Sequence, residues 1–129
     1  MLDIKAMQMA INQEKNAGGF ADLMKQFMML GVTQYDYLVS DGIYRFSDGD
    51  VTADFQMNGV PKTVSEQSSA EKITAAVRSA QAGQISFETF CDLAGQAGVS
   101  YWTSDLTAKR VSYYDARGKV LLSEPIPGL

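Results

Sequence analysis

The sequence predicts an α+β fold in which a helical hairpin followed by a three-stranded antiparallel meander is written twice, the two ααβββ units sharing one core. Three observations predict it. The hydrophobic period changes from about 3.6 to 2 after Gly31, and again after Gly98. The pairs Asp41-Gly42 and Asp48-Gly49 punctuate the first period-2 stretch, as hairpin turns do. The halves also superimpose at an offset of 67 residues, which pairs Phe20 with Phe87, Gly31 with Gly98, Val32 with Val99, Tyr35 with Trp102, Tyr44 with Val111 and Phe46 with Tyr113.

Each element has its own local reason. Ile4, Met7 and Ile11 recur at helical spacing, with Lys5, Gln8, Asn12 and Lys15 on the other face, and Gly18-Gly19 end the segment. A second helix carries Phe20, Leu23, Phe27 and Leu30 on one stripe and stops at Gly31, which suits the left-handed C′ position. Two-residue turns at the Asp-Gly pairs would set Val39 opposite Tyr44, Tyr37 opposite Phe46, Phe46 opposite Val51 and Tyr44 opposite Ala53. All of these, with Tyr35 and Phe55, then share a face. Asp36, Arg45, Thr52 and Asp54 take the other, where Leu38 and Ile43 are apolar exceptions.

A Gly-, Pro- and Ser-containing stretch, about 58–67, reads as a linker between pseudo-repeats of about 1–57 and 68–127 within one domain, 1–129. Ser68 with Glu71 forms a capping box for a third helix, whose stripe is Ile73, Ala76, Val77 and Ala80, up to Gly83. Ser86 caps a fourth, with Ile85 and Phe90 spaced as a hydrophobic staple and Phe87, Phe90, Cys91, Ala94 and Ala97 as its buried side, up to Gly98. Trp102, Leu106, Val111 and Tyr113 share the inward face of the second meander around a turn near Ala108-Lys109. "DARG" (115–118) suits a type I turn with a G1 bulge, and Pro125 and Pro127 close the sheet edge after "KVLL".

Composition narrows the function. The chain has 129 residues, formal charge −4 and a pI near 4.7, which opposes binding to nucleic acid and to anionic membranes. One cysteine allows no intrachain disulfide. The N-terminal stretch alternates charge and apolar residues too often for a signal peptide, and no apolar run approaches the ~20 residues of a membrane span. A cytoplasmic location is expected. There is no histidine, which removes the residue most used for acid-base work near neutrality. No nucleotide-binding, hydrolase or Cys-pair motif is present, so no cofactor and no catalytic residue is assigned. Cys91 falls on the buried stripe of its helix and reads as structural. Asp41, Asp48, Asp50 and Asp54 crowd together but lack the calcium-loop pattern, so no metal site is assigned.

The second meander carries one anomaly. Adjacent strand residues point to opposite faces, so if Trp102 and Tyr113 face the core, Tyr101 and Tyr114 face outward. With Asp105 and Arg110 between them in sequence, these four make a candidate binding patch, an aromatic pair rimmed by charge. Its partner would be another protein or a second copy of the chain. Met24, Met28 and Met29 read as core filler, with an adaptable partner surface as the alternative. A non-enzymatic binding or accessory module is the leading reading. The alternative is a small-molecule binder or minor enzyme using a cleft between the two units.

The residues "SDG" (40–42) after "GVTQYDYLV", "SFETFCDLAGQAGV" (86–99), Trp102, Asp105, "YYD" (113–115), Gly118 and "EPIP" (124–127) together resemble the YdfO-like family of small uncharacterised bacterial proteins. Some of these lie on prophages, and many are labelled "phage envelope protein". The resemblance implies a compact α+β domain and brings no established activity. Where members often carry a histidine directly after the "SDG", this chain has Ile43, so no histidine-dependent site implied by the resemblance operates here.

Overall fold

The computed structural model describes residues 4–13 and 20–126. In chain order the elements are α1 (Ile4–Gln13), α2 (Phe20–Met29), β1 (Gln34–Leu38), β2 (Ile43–Ser47), β3 (Thr52–Phe55), α3 (Ala70–Gln81), α4 (Phe87–Gln96), β4 (Val99–Asp105), β5 (Arg110–Asp115) and β6 (Val120–Pro125). The ααβββ pattern does occur twice. The glycine pair expected to end α1, and Pro127, lie outside the described residues.

The six strands form one antiparallel sheet in the order β3-β2-β1-β4-β5-β6. That order is a palindrome of the two units. At its centre Asp36 of β1 pairs with Thr103 of β4, and these two residues are equivalents at the offset of 67. A pseudo-twofold axis therefore passes between them, normal to the sheet, and exchanges the units. Thr103 Oγ1 donates to Asp36 Oδ1 across it at 2.7 Å.

One face of the sheet carries the core. Tyr35, Tyr37, Tyr44, Phe46, Trp102, Val111 and Tyr113 are all buried there. The helices cover this face: Phe27 of α2 meets Tyr35 and Phe46 edge-on, and Phe90 of α4 meets Trp102 and Tyr113. Met7 and Ile11 of α1 and Ile73 of α3 complete the apolar layer. The Arg78 guanidinium of α3 holds the Glu124 carboxylate of β6 through two hydrogen bonds, of 2.8 and 3.1 Å.

Helix ends follow local chemistry. After α2 the Gly31 N–H reaches Met28 O and the Val32 N–H reaches Phe27 O, a Schellman closure with Gly31 at φ +89°. Ser86 caps α4 as expected, its Oγ accepting from the Thr89 N–H. For α3 the cap is Ser69, one residue later than the box predicted from Ser68, and its Oγ accepts from the Lys72 N–H. Ser86→Ala is expected to lower stability by about 1 kcal/mol, read from the midpoint of urea unfolding.

Both first-unit hairpins differ from expectation in the same way. Tyr37 faces Tyr44 rather than Phe46, and Phe46 faces Ala53 rather than Val51. Each connection has four residues, not two. In the first, the Gly42 N–H closes onto Leu38 O. In the second, Asp48 Oδ1 accepts from the N–H groups of both Val51 and Asp50, which draws Val51 into the turn and leaves it 57% exposed. A shift of two residues preserves facing, so the core set survives with Val51 removed from it. The "DARG" turn matches its expected form: the Gly118 N–H donates to Asp115 O, Gly118 is at φ +81°, and a bulge follows between β5 and β6.

The stretch expected to link the units is pinned along the end of the sheet. The Lys62 N–H bonds Val39 O, the Ser65 N–H bonds Gly95 O and the Ser69 N–H bonds Ala97 O.

Candidate functional site

With the helices on one face, the side chains alternating with the core residues form the other, and cross-strand registers arrange them in rows. The middle row runs Asp54, Arg45, Asp36, Thr103, Ser112, Ser123. The row at one end runs Thr52, Ser47, Gln34, Asp105, Arg110, Pro125. The row at the other end, beside the β1–β2 and β5–β6 turns, runs Ile43, Leu38, Tyr101, Tyr114, Val120. Two rows are polar. The third is wholly apolar or aromatic across five strands.

In that third row Tyr101 and Tyr114 stack with ring centroids 4.8 Å apart and planes 12° apart. Both rings are half-buried, as are Leu38 and Ile43, and Val120 is 48% exposed. Partial burial, then the neighbouring Tyr114 and the Asp36 carboxylate, hold the Tyr101 phenol above its ordinary range.

The structure divides the four residues that the sequence grouped. Tyr101 pairs with Tyr114, and Asp105 pairs with Arg110, but the two pairs stand four positions apart along the strands. At about 3.3 Å per residue that is ~13 Å. Asp105 Oδ1 accepts from the backbone N–H groups of Thr107 and Ala108, within its own turn. Arg110 reaches away from it, donating to Ser123 Oγ at 2.9 Å and to Ser123 O at 3.2 Å. The aromatic pair is rimmed not by these charges but by Leu38 and Ile43, the exceptions noted in the first meander, and by Val120. Proximity in sequence does not give the neighbours, because a row draws one residue from each strand.

Other candidates resolve simply. Cys91 is buried among core residues, and burial pushes its thiol up to about 12, far from a nucleophile's range. Among the described residues no group of three Asp, Glu or Cys side chains comes together that could hold a metal ion. Met24 is buried in the core, whereas Met28 and Met29 are exposed at 38% and 85%. Within the sheet the seam between the units is a continuous ladder, in which Tyr37 stacks on Trp102 at 4.6 Å. An open polar concavity of about 370 Å³ lies instead over the first unit, lined by Thr33, Gln34, Asp36, Arg45, Ser47, Gly49 and Thr52. Arg45 beside it is held by Asp54 at 2.9 and 3.1 Å, a bidentate pair that lowers the Asp54 carboxyl. No helix among the described residues is long and apolar enough to cross a membrane.

The molecule is thus an α+β protein of two pseudo-symmetric halves, with helices on one face of its sheet and an apolar row on the other. The chain belongs to the family described as "Protein of unknown function (DUF1398)", whose model matches residues 8–125. No curated protein matches it.

Proposed function

We propose that this chain is a non-enzymatic binding module of the cytoplasm that recognises a protein surface through the apolar row Ile43, Leu38, Tyr101, Tyr114 and Val120. One observation carries the reading. Across the pseudo-twofold, the positions equivalent to Tyr101 and Tyr114 are Gln34 and Ser47, and those equivalent to Leu38 and Ile43 are Asp105 and Arg110. Each pair occupies equivalent places on matched strands. The inward positions behave differently, since Tyr35 and Trp102, or Phe46 and Tyr113, keep large rings in both units. The strands therefore form with polar outward residues, and the fold does not need the row to be apolar. Apolar side chains that folding does not require, on a sheet face opposite the helices, are what a docking surface supplies. We read the YdfO-like resemblance in the same direction, as that of an accessory protein of prophage origin.

Tagged wild-type protein and the double variant Tyr101→Gln, Tyr114→Ser, which carries the residues of the equivalent positions 34 and 47, should be compared as baits in host lysate. A partner retained in stoichiometric amount by the wild type and lost by the variant, at equal thermal stability of the two baits, is the expected result. Equal recovery by both baits would remove the row from any binding role.

A further inference from the structure

We infer that the row's occupant is a second copy of this chain, docked sheet on sheet about a twofold axis that lies in the interface and runs along β4. The inference rests on reading the row as a docking surface, and it comes from the row's self-complementarity. Tyr101 stands on the third of the five strands in the row, with Leu38 and Ile43 to one side and Tyr114 and Val120 to the other. Rotation about β4 turns the row end for end. Leu38 then meets Tyr114 of the second copy, Ile43 meets Val120, and Tyr101 meets its own equivalent, as an isologous interface requires.

Charge follows the same symmetry. The β1–β2 turn carries exposed Asp41, and the β5–β6 turn carries exposed Arg117 and Lys119. Each turn lies one and a half strand spacings from β4, on opposite sides, so both are ~7 Å from the axis. The rotation that pairs the apolar side chains therefore sets the acid of one copy over the bases of the other. In the middle row it places Asp36 opposite Ser112 and Arg45 opposite Ser123, where no bulky apolar group props the sheets apart. Asp105 would approach its own equivalent, but its carboxylate is already turned onto the N–H groups of Thr107 and Ala108.

Area sets the strength. Rotation about β4 overlaps the five strands β2 to β6, which by about five residues present a face of roughly 24 by 17 Å, about 400 Å² per copy, against about 800 Å² per partner in a standard stable interface. The dimer is therefore reversible and concentration-dependent.

Sedimentation velocity on the purified protein, from low micromolar to near-millimolar concentration, tests this. The expected mass rises from one protomer toward two. Tyr101→Lys, a polar change at the position equivalent to Gln34, keeps the protein monomeric throughout while its circular dichroism spectrum and the cooperativity of its unfolding are unchanged. Asp41→Lys weakens the dimer by about fivefold, the effect of two symmetric surface pairs, and adding Lys119→Asp restores it. A wild type that stays monomeric, or a dimer indifferent to Tyr101→Lys or to the Asp41–Lys119 exchange, overturns the inference. A monomeric wild type whose lysate partner is nonetheless lost with Tyr101→Gln, Tyr114→Ser would refute the dimer while leaving the row a docking surface for that partner.

Discussion

Trp102→Ala is expected to destabilise the protein by about 3–5 kcal/mol, and to do so in a single cooperative transition. The indole is 2% exposed at the centre of the sheet. It stacks on Tyr37 at 4.6 Å with planes 21° apart, and meets Phe90 edge-on at 5.3 Å and Tyr113 at 5.9 Å. Truncation removes the transfer free energy of the ring, leaves a cavity that rigid β1, β4 and β5 cannot collapse into, and forfeits aromatic pairings worth about 0.5–1.5 kcal/mol each. Total stability in single domains is about 5–15 kcal/mol, so the loss is a large fraction. The cooperativity follows from where the contacts go: Trp102 belongs to the second unit, and its closest ring neighbour, Tyr37, belongs to the first. Because Trp102 is the sole tryptophan, urea unfolding should be followed by far-ultraviolet circular dichroism. Two separated transitions would mean that the halves hold separate cores.

The repeat makes this core legible in sequence, since ring-bearing residues at period 2 recur 67 positions apart. Patterning specifies facing but specifies register only to within two residues, because such a slip returns every side chain to the same side. What set the register lay in the turns. The Asp48 carboxylate captures two backbone N–H groups and lengthens its loop, and the Gly42 N–H closes a wider turn onto Leu38 O. Neither is visible in an Asp-Gly pair alone. Edge strands were partly readable, as Pro125 ends β6 at one margin. The pairing of β1 with β4 was not, because it joins residues far apart in the chain and no local signal encodes it.

The repeat also hides differences that only packing reveals. Gly31 and Gly98 are equivalents, both with positive φ, at +89° and +81°. A Cβ on Gly31 would meet nothing, whereas one on Gly98 would lie 2.6 Å from Gln67 O. Gly31 is thus needed for its backbone conformation alone, and Gly98 also for the close passage of the connecting segment at Gln67 and Ser68. The candidate surface was half readable for the same reason. The outward direction of Tyr101 and Tyr114 follows from alternation, but their neighbours Leu38, Ile43 and Val120 come from three other strands and join them only through the assembled sheet.

Alkaline unfolding should be abrupt and complete near pH 11. Burial pushes the Tyr35 phenol up to about 12, and burial likewise raises Tyr37, Tyr44 and Tyr113 well above the ordinary range. Four of the six tyrosines therefore keep their protons in the folded chain where the unfolded chain would release them. Below pH 10 both states hold these protons and stability is unaffected. Above it the unfolded state binds fewer, so stability falls as pH rises, by about 1.4 kcal/mol per pH unit for each buried phenol. One unit above 10, four phenols remove about 6 kcal/mol, comparable with the whole stability of a small domain. Cys91, whose thiol burial pushes up to about 12, adds to the loss and begins earlier, as pH passes the ordinary thiol range. Tyrosinate absorbance and circular dichroism should be recorded together against pH. Phenolate from the four buried residues is expected to appear in step with loss of secondary structure, because ionisation of the aromatic layer and its dissolution are one event. Ionisation of all six tyrosines near pH 10 with the sheet intact would mean that water reaches these hydroxyls, and that the layer between helices and sheet is not the dry core on which both halves depend.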